Sequence, residues 1–432
     1  MASINNRWHK VKLSSFCDVI MGQSPPSSTY NEEGKGLPFF QGVKDFGRIY
    51  PSKRVYCTAN TRKIAEADDV LLSVRAPVGE VNIASERCII GRGIAALRVK
   101  TRNKNDQRFL YYLMLFNKKI WGQLRSGTTF EEITREDIEN LEVFIPENIL
   151  ERHKIAEILG SLDDKIELNY EMNKTLEAIA QAIFENWFVD FEPFKEKLIY
   201  NKELGKKIPE EWEVRKISEF FDIVKGRKCD LLEKCGDNSE GCLPYLTIEA
   251  FEEGAVKYWT KEKHPFVEVE DIVLVADGER AGKILRFKMG VLGSTLLMLK
   301  QKSENYDLRN YVFLLLKDME HELMRHRTGS AVPHLDKGYL ANLKIIIPQP
   351  LSIIENFNKF VKPIFEKIIL NLEEIATLRS IRDALLPRLL SGEIRVKVDV
   401  EEEFPEETKK LEDIGRKKTK IQVSLEEWLR HG

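Results

Sequence analysis

The apolar positions of the chain fall into two kinds of pattern, and each kind occurs twice. The first is a 3.5-residue repeat. Ile155, Leu159, Leu162, Ile166, Asn169, Asn173, Leu176, Ala180, Ile183 and Trp187 are spaced 4-3-4-3 without a break, and Phe357, Val361, Ile364, Ile368, Asn371, Ile375, Leu378, Arg382, Leu385 and Leu389 follow the same spacing. Such spacing predicts a helix with a narrow apolar seam that needs a partner helix. The simplest partner for each seam is the other, in an antiparallel coiled coil. A helix over 155–187 is about 50 Å long at 1.5 Å per residue. The residues expected to pair are Leu159, Leu162, Ile166, Asn169, Leu176 and Ile183 with Ile364, Ile368, Asn371, Leu378 and Leu385. Asn169 and Asn371 hold equivalent seam positions, so in an antiparallel pair they are expected near the middle, placed to face each other and fix the register. The plainer alternative is two solvated Asn on separate surface helices. Pro363 and Pro387 predict a start or a kink in the second helix.

The second pattern is a mixture of short β-like runs and shorter helices. Val70-Leu71-Leu72-Ser73-Val74 and Ile272-Val273-Leu274-Val275 are bounded by turn residues, as strands are. Arg108 to Trp121 and Asn310 to Arg325 read as helices. The runs are too short and irregular for a doubly wound parallel sheet, and the expected fold class is α+β (mixed α/β).

Both patterns recur because the chain is an internal repeat. Trp8 to Gly22 aligns with Trp212 to Gly226 at an offset of 204: Trp8/Trp212, Lys12/Lys216, Phe16/Phe220, Asp18/Asp222 and Gly22/Gly226 match. From Asp69/Asp271 the offset is 202, with one local slip, and from Gly91/Gly293 to Ala182/Ala384 no gap is needed. Two unrelated domains with similar periodicity would not hold register over that span. The expected organisation is a module over 1–146, a long helix over 147–190, a linker over 191–208, a second module over 209–348, a second long helix over 349–395 and a charged tail over 396–432. The tail is expected to end in a short helix capped by Ser424. The two modules and two paired helices give a pseudo-twofold plan.

Composition narrows the class of function. The 432 residues are 43% apolar and 31% charged, and 67 Lys and Arg against 69 Asp and Glu give a net charge of −2. Those values fit a folded protein and exclude one that coats nucleic acid by bulk positive charge. The charge is uneven: residues 1–146 carry +6 and residues 209–348 carry −3. No apolar run reaches the roughly 20 residues of a membrane span, and Met1 to Lys12 lacks a secretory layout, so a cytoplasmic location is expected. Six cysteines are too few for a disulfide framework, and Cys229, Cys235 and Cys242 lack zinc-knuckle spacing. They are expected to be reduced thiols.

No motif for catalysis appears in both halves. Gly278-Glu279-Arg280-Ala281-Gly282-Lys283-Ile284 is one residue short of a phosphate loop and lacks its Ser/Thr. Gly91-Arg92-Gly93-Ile94-Ala95-Ala96 looks like a dinucleotide fingerprint, but its repeat partner Gly293-Ser294-Thr295 loses the second Gly, so a turn is the better reading. No amino-methyltransferase or His-Glu-x-x-His motif is present. A duplicated architecture without a duplicated constellation points to a binding scaffold. Two related modules on paired helices suit a ligand with two sites at fixed separation, of which duplex DNA is the obvious case.

Three further stretches carry a family resemblance. Ile208-Pro209-Glu210-Glu211-Trp212-Glu213-Val214 opens the second module. Leu159-Gly160-Ser161-Leu162-Asp163-Asp164-Lys165-Ile166 and Trp187-Phe188-Val189-Asp190-Phe191-Glu192-Pro193-Phe194 lie along the first long helix and its exit. Leu385-Leu386-Pro387-Arg388-Leu389-Leu390-Ser391-Gly392-Glu393-Ile394-Arg395 closes the second. Together they resemble the DNA specificity (S) subunit of type I restriction–modification systems over residues 1–395. The resemblance implies two target-recognition domains that each read half of a bipartite, asymmetric DNA site. It also implies conserved helices that act as a ruler and dock two methyltransferase (modification) subunits, with restriction (translocase/endonuclease) subunits joining them. No cofactor is then expected on this chain; S-adenosylmethionine, ATP and Mg²⁺ belong to the partners. The competing class is a catalytic restriction or methylation enzyme with fused recognition modules, and a more distant one is a coiled-coil scaffold that never meets DNA.

Base readout needs Arg, Lys, Asn, Gln, Ser or Thr at a groove edge. Matched loops supply candidates: Gln23 and Ser24 after Gly22 in the first module, and Lys225, Arg227 and Lys228 around Gly226 in the second. Arg125, Thr128 and Thr129 flank Gly127, and Arg327, Thr328 and Ser330 flank Gly329. A structural turn is an equal alternative for the last two loops. Arg75, Arg92 and Arg280 complete the set, while Trp8 and Trp212 read as core.

Overall fold

The protein is described by a computed structural model covering residues 8–123, 132–233, 241–252, 254, 256–329 and 333–396. The chain divides into two compact units, residues 1–164 with 378–432, and residues 165–377. The division falls within both long helices, so each unit contains one module and one end of each helix.

Unit 1 closes its module with an antiparallel strand pair, Trp8–Lys12 against Glu142–Pro146. Between them lies a four-stranded antiparallel sheet of order Cys17–Met21, Ile94–Val99, Val70–Ser73, Val81–Ile83. Val70 to Ser73 are buried throughout, which is why that run reads as continuously apolar and not alternating. A second sheet contains one parallel contact, Leu37–Phe40 beside Cys88–Ile90. The helix Lys104–Phe116 starts where the Asn103 side chain accepts the backbone N–H of Asn105 (2.8 Å) and Asp106 (3.3 Å). Its Phe109, Leu110, Tyr112 and Leu113 are buried in the core that includes the sheet. The helix expected over 108–121 is two helices, because Asn117 ends the first and a separate turn, Lys118–Gln123, follows.

Unit 2 repeats this plan. Glu213–Lys216 pairs with Lys344–Ile347, and the four-stranded antiparallel sheet has the order Phe221–Lys225, Leu296–Gln301, Ile272–Val275, Ile284–Leu285. Its second sheet again has one parallel contact, Leu243–Leu246 beside Gly290–Leu292. Even the register repeats: Leu97 faces Val19 in one unit and Leu299 faces Ile223 in the other. The fold class is α+β, as the sequence indicates.

The long helices are Ile149–Phe184, extended by a π-helical turn Glu185–Val189, and Ser352–Leu390. In unit 1, Ile155, Leu159, Leu385 and Leu389 are buried in the module core, with Leu162 packed on it. Asp163 pairs with Arg382 (2.7 Å) and Glu151 with Arg395 (3.0 Å), so the helices run antiparallel there. In unit 2, Ile166 and Ile368 are buried, Leu176, Ile183 and Ile364 pack on the core, and Leu378, at the start of the unit 1 segment, is half-buried. Antiparallel pairing recurs in unit 2, and here the two Asn depart from expectation. Asn169 and Asn371 do not meet. Asn169 Nδ2 donates to Glu374 (2.8 Å), and Asn371 Nδ2 donates to Asn173 (2.7 Å). The stagger of the helices sets each Asn opposite a different polar residue, and Asn169, Asn173 and Asn371 are all buried.

Pro363 and Pro387 do not interrupt the second helix, which is continuous over Ser352–Leu390. An interior proline costs about 3 kcal/mol. Around Pro363, Val361, Phe365 and Ile368 are buried in the unit 2 core, and around Pro387, Leu385, Leu389 and Leu390 are buried in the unit 1 core, which offsets that cost. The segment over 191–208 is more than a charged linker. It holds a 3₁₀ turn, Glu192–Lys197, and the first strand of a hairpin, Leu198–Asn201 against Lys206–Pro209. Cys17, Cys57, Cys88 and Cys229 are free, whereas Cys242 takes part in a disulfide, against the expectation of reduced thiols. Spacing along the chain does not report which Cβ atoms come within bonding range.

Candidate nucleic-acid interface

In unit 1 the strand Cys17–Met21 runs directly into Gly22. The N–H of Gly22 donates to Ile94 O (2.9 Å), that of Gln23 to Ile90 O (3.0 Å), and that of Gly91 to Phe40 O (2.7 Å). A Cβ on Gly22 would overlap the carbonyl of Gly91, and one on Gly93 would overlap the carbonyl of Gln41. Three loops thus touch backbone to backbone, which only glycine permits. The turn reading of Gly91-Arg92-Gly93 agrees with this geometry.

These loops present a groove. Gln23, Ser24, Tyr30, Gln41 and Arg92 line one depression of 540 Å³. Ser24, Gln41, Lys44, Arg75 and Arg92 line another of 540 Å³, and Ser24, Gln41 and Arg92 border both. Four candidates from the sequence, Gln23, Ser24, Arg75 and Arg92, are therefore brought together. Ser24 Oγ accepts the backbone N–H of Arg92 (3.4 Å), and Arg92 itself is exposed. Arg75 Nη2 donates to both carboxylate oxygens of Glu132 (3.1 and 3.0 Å).

Unit 2 repeats the backbone and changes the side chains. Gly226 donates to Leu296 O (3.0 Å), Arg227 to Leu292 O (3.3 Å) and Gly293 to Leu246 O (3.0 Å). Tyr245 Oη locks the turn by donating to Arg227 O (3.0 Å) and accepting from the Ser294 N–H (3.0 Å). Arg227 and Lys228 are exposed. Lys225 donates to Asp277 (2.5 Å), whose other oxygen lies 2.8 Å from His334 Nδ1. Burial pushes the Asp277 carboxyl upward, but hydrogen bonds from Lys225 and His334 and their charges outweigh it and hold the group below its usual range. Thr328 stands opposite His334 in a short strand pair. Arg327 Nη1 is tied to Glu279 O (2.6 Å). Arg280 is bound to Glu252, which also holds Lys283. Arg125, Thr128, Thr129 and Ser330 lie outside the described residues.

Sequence reasoning missed Gln41, Lys44, Glu132, Asp277 and His334. The signal for two of them was present: Asp277 and His334 stand 202 residues after Arg75 and Glu132. Trp8 and Trp212 are buried, and Trp212 packs against Phe188, Phe191 and Phe194 at 5.0–5.8 Å. Among the described residues no group of three or more His, Cys, Asp or Glu is placed to hold a metal, and no helix is long and apolar enough to cross a membrane.

The unit 1 segment of the helices contains a second arrangement of buried polar side chains. Arg108 crosses the first long helix at Gly160, donating to Gly160 O (3.1 Å) and to Asp164 (2.5 and 3.0 Å), where a Cβ on residue 160 would strike its guanidinium. Asp163, one residue before, is buried and accepts from Tyr112 Oη (2.7 Å) and Arg382 (2.7 Å). The Gly160–Asp164 stretch thus fastens the module helix and both long helices within unit 1.

With this geometry in hand, comparison with known proteins is informative. The family model described as the type I restriction modification DNA specificity domain matches twice, over residues 5–178 and 209–379. The type I restriction enzyme MjaIX specificity subunit of Methanocaldococcus jannaschii is 29% identical, over 92% of this chain and 95% of that protein. The type I restriction enzyme HindI specificity subunit of Haemophilus influenzae is 27% identical, over 66% of this chain and 77% of that protein. A crystal structure of the S subunit of a type-I restriction-modification system from M. genitalium shares the fold, with a TM-score of 0.57 at 19% identity over 90% of this chain and 98% of that one. The duplicated match, covering both modules and most of both helices, places the chain in the type I restriction modification DNA specificity family.

Proposed function

We propose that the chain is the sequence-reading component of a type I restriction–modification complex in the cytoplasm, with each module contacting one half of a bipartite, asymmetric DNA site. Family membership makes it a specificity subunit, the recognition component and not the enzyme. The observation that best supports the two-half reading is the repeated loop cradle around Gly22 and Gly226, built on the same backbone bonds but carrying different side chains. Equal scaffolds with unequal side chains suit two unlike half-sites. Gln23, Ser24, Arg75 and Arg92 in the first module, and Lys225, Arg227, Lys228, Thr328, Arg280 and Arg327 in the second, are assigned to DNA; Arg125, Thr128, Thr129 and Ser330, outside the described residues, are assigned with them from the sequence. The modules are assigned to 1–146 and 209–348, and the segments that hold the long helices to 147–190 and 349–395.

The long helices are assigned the roles of spacer between half-sites and dock for two methyltransferase subunits, with restriction subunits joining the complex. S-adenosylmethionine, ATP and Mg²⁺ are assigned to those partners. The test is incubation of the purified chain with labelled S-adenosylmethionine and target duplex, with and without the modification subunits. Methyl transfer only in their presence, together with an electrophoretic shift, is the expected result. Transfer by the chain alone would favour a fused enzyme, and no shift with the subunits present would favour a scaffold that does not meet DNA.

A further inference from the structure

We propose that one strand-bridge position in each module reads base identity, and that the modules read it in opposite hydrogen-bonding sense: module 1 through the donor Arg75, module 2 through the acceptor Asp277. This rests on the modules being DNA readers and adds the residues and the base chemistry.

The scaffold at this position is the same in both units. In unit 1 the N–H of Val74 donates to Gly93 O (2.9 Å) and that of Ile133 to Val74 O (2.8 Å). In unit 2 the N–H of Ala276 donates to Thr295 O (2.8 Å) and that of Leu335 to Ala276 O (2.8 Å). The next residue outward makes an isolated antiparallel bridge in each case, Arg75 with Glu132 and Asp277 with His334. The backbone is repeated and the inner side chain changes sign: the inner strand carries a cation in module 1 and a carboxylate in module 2.

Neither pair is needed by the core. Arg75 and Glu132 are 44% and 46% exposed, and His334 and Asp277 are 52% and 30% exposed. Exposed ion pairs contribute only about 0–1 kcal/mol to stability, so what these pairs chiefly do is hold a head group in one orientation. Both bonds to Glu132 use Nη2 of Arg75, so Nε and Nη1 are not consumed by that pair. A guanidinium so held suits the paired acceptors O6 and N7 of guanine. In module 2, Lys225 and His334 each take one oxygen of Asp277. A carboxylate oxygen has about two acceptor sites, so Asp277 can still accept from an exocyclic amino group, as on cytosine or adenine. Lys225 also offsets the carboxylate charge that would otherwise repel the phosphate backbone. Its equivalent in module 1, where the reader is already a cation, is Met21.

The test is selection from randomised duplexes by the full chain with its modification subunits, for wild type, Arg75→Gln and Asp277→Asn, at low salt so that phosphate contacts sustain binding. The expected result is that Arg75→Gln weakens preference for guanine at one position of one half-site by about 5- to 150-fold. Asp277→Asn is expected to relax preference for an amino-bearing base in the other half by a comparable factor, each leaving the opposite half unchanged. Retention of every wild-type preference by both variants, or changes confined to the same half, would overturn the proposal. Absence of any base preference in the wild-type complex would instead overturn the functional reading beneath it.

Discussion

Asp106 and Asp163 are buried carboxylates in unit 1, and each has a charged partner distant in sequence. Asp106 accepts from Thr101 Oγ1 (2.7 Å) and faces Arg152 (3.2 Å) and His153 (3.4 Å). Burial alone would raise its pKa, but the nearby His153 imidazole, the hydrogen bond from Thr101 and the Arg152 charge outweigh burial, so the folded value lies below the usual 3.8. A depressed folded pKa contributes stability that is present above the unfolded value and lost as pH falls through the folded one. Thermal melts of the chain are therefore expected to fall as pH drops below 3.8, and less steeply in Asp106→Asn; equal slopes would remove Asp106 as a cause. Asp163→Ala removes the buried acceptor of Tyr112 and Arg382 and leaves Arg382 only Asp383 (2.8 Å); the loss is expected to cost about 1–3 kcal/mol. A denaturant midpoint unchanged from wild type would show that the pair is not coupled to folding. Arg382 interrupts an apolar seam in the sequence, and nothing near it in the chain announces Asp163, so this residue-level match was not legible. The glycine at 160 was visible as part of a motif, but its reason, the crossing of Arg108, depends on a long-range contact.

At the scale of elements, the buried amides tune the helix pair. Asn371→Leu leaves the Asn173 amide without its donor and is expected to destabilise unit 2 by about 1–3 kcal/mol. Replacing both with Leu is expected to recover that loss, with a non-additive coupling in a double-mutant cycle; strictly additive effects would contradict the pairing. The existence of both long helices was legible, because a heptad pattern survives any tertiary context. The partners of Asn169 and Asn371 were not, because the stagger between two helices is set by packing that no single helix records. The continuity through Pro363 and Pro387 was hidden for a similar reason: local propensity argues for a break, and burial on either side argues more strongly against one. The hairpin over 198–209 went unread although its turn chemistry was present. Asn201 Oδ1 accepts the N–H of Glu203 (2.9 Å) and Leu204 (3.1 Å), and Gly205 adopts φ +65°. The high charge around it masked it: only Leu198 and Ile208 pack on the unit 2 core, while Ile199 and Tyr200 are exposed.

At the scale of the whole molecule, the internal repeat carries the account. Matching positions such as Gly22/Gly226 and Gly91/Gly293 predict equivalent backbone, and equivalent backbone is found. Side chains that differ between equivalent positions, such as Arg75/Asp277, then mark the surface where the modules diverge. Exchange of residues 1–146 for the corresponding module of another family member is expected to change one half-site only, read by the methylation pattern; changes in both halves would contradict independent modules. Deletion of seven residues from each long helix is expected to alter the tolerated gap between half-sites, and an unchanged gap would refute the spacer role. The most direct test of the central claim is methylome sequencing of cells carrying the modification subunits with and without this chain. The account predicts a bipartite, asymmetric methylated motif that appears only with the chain; the same motif in its absence, or none in its presence, would contradict it.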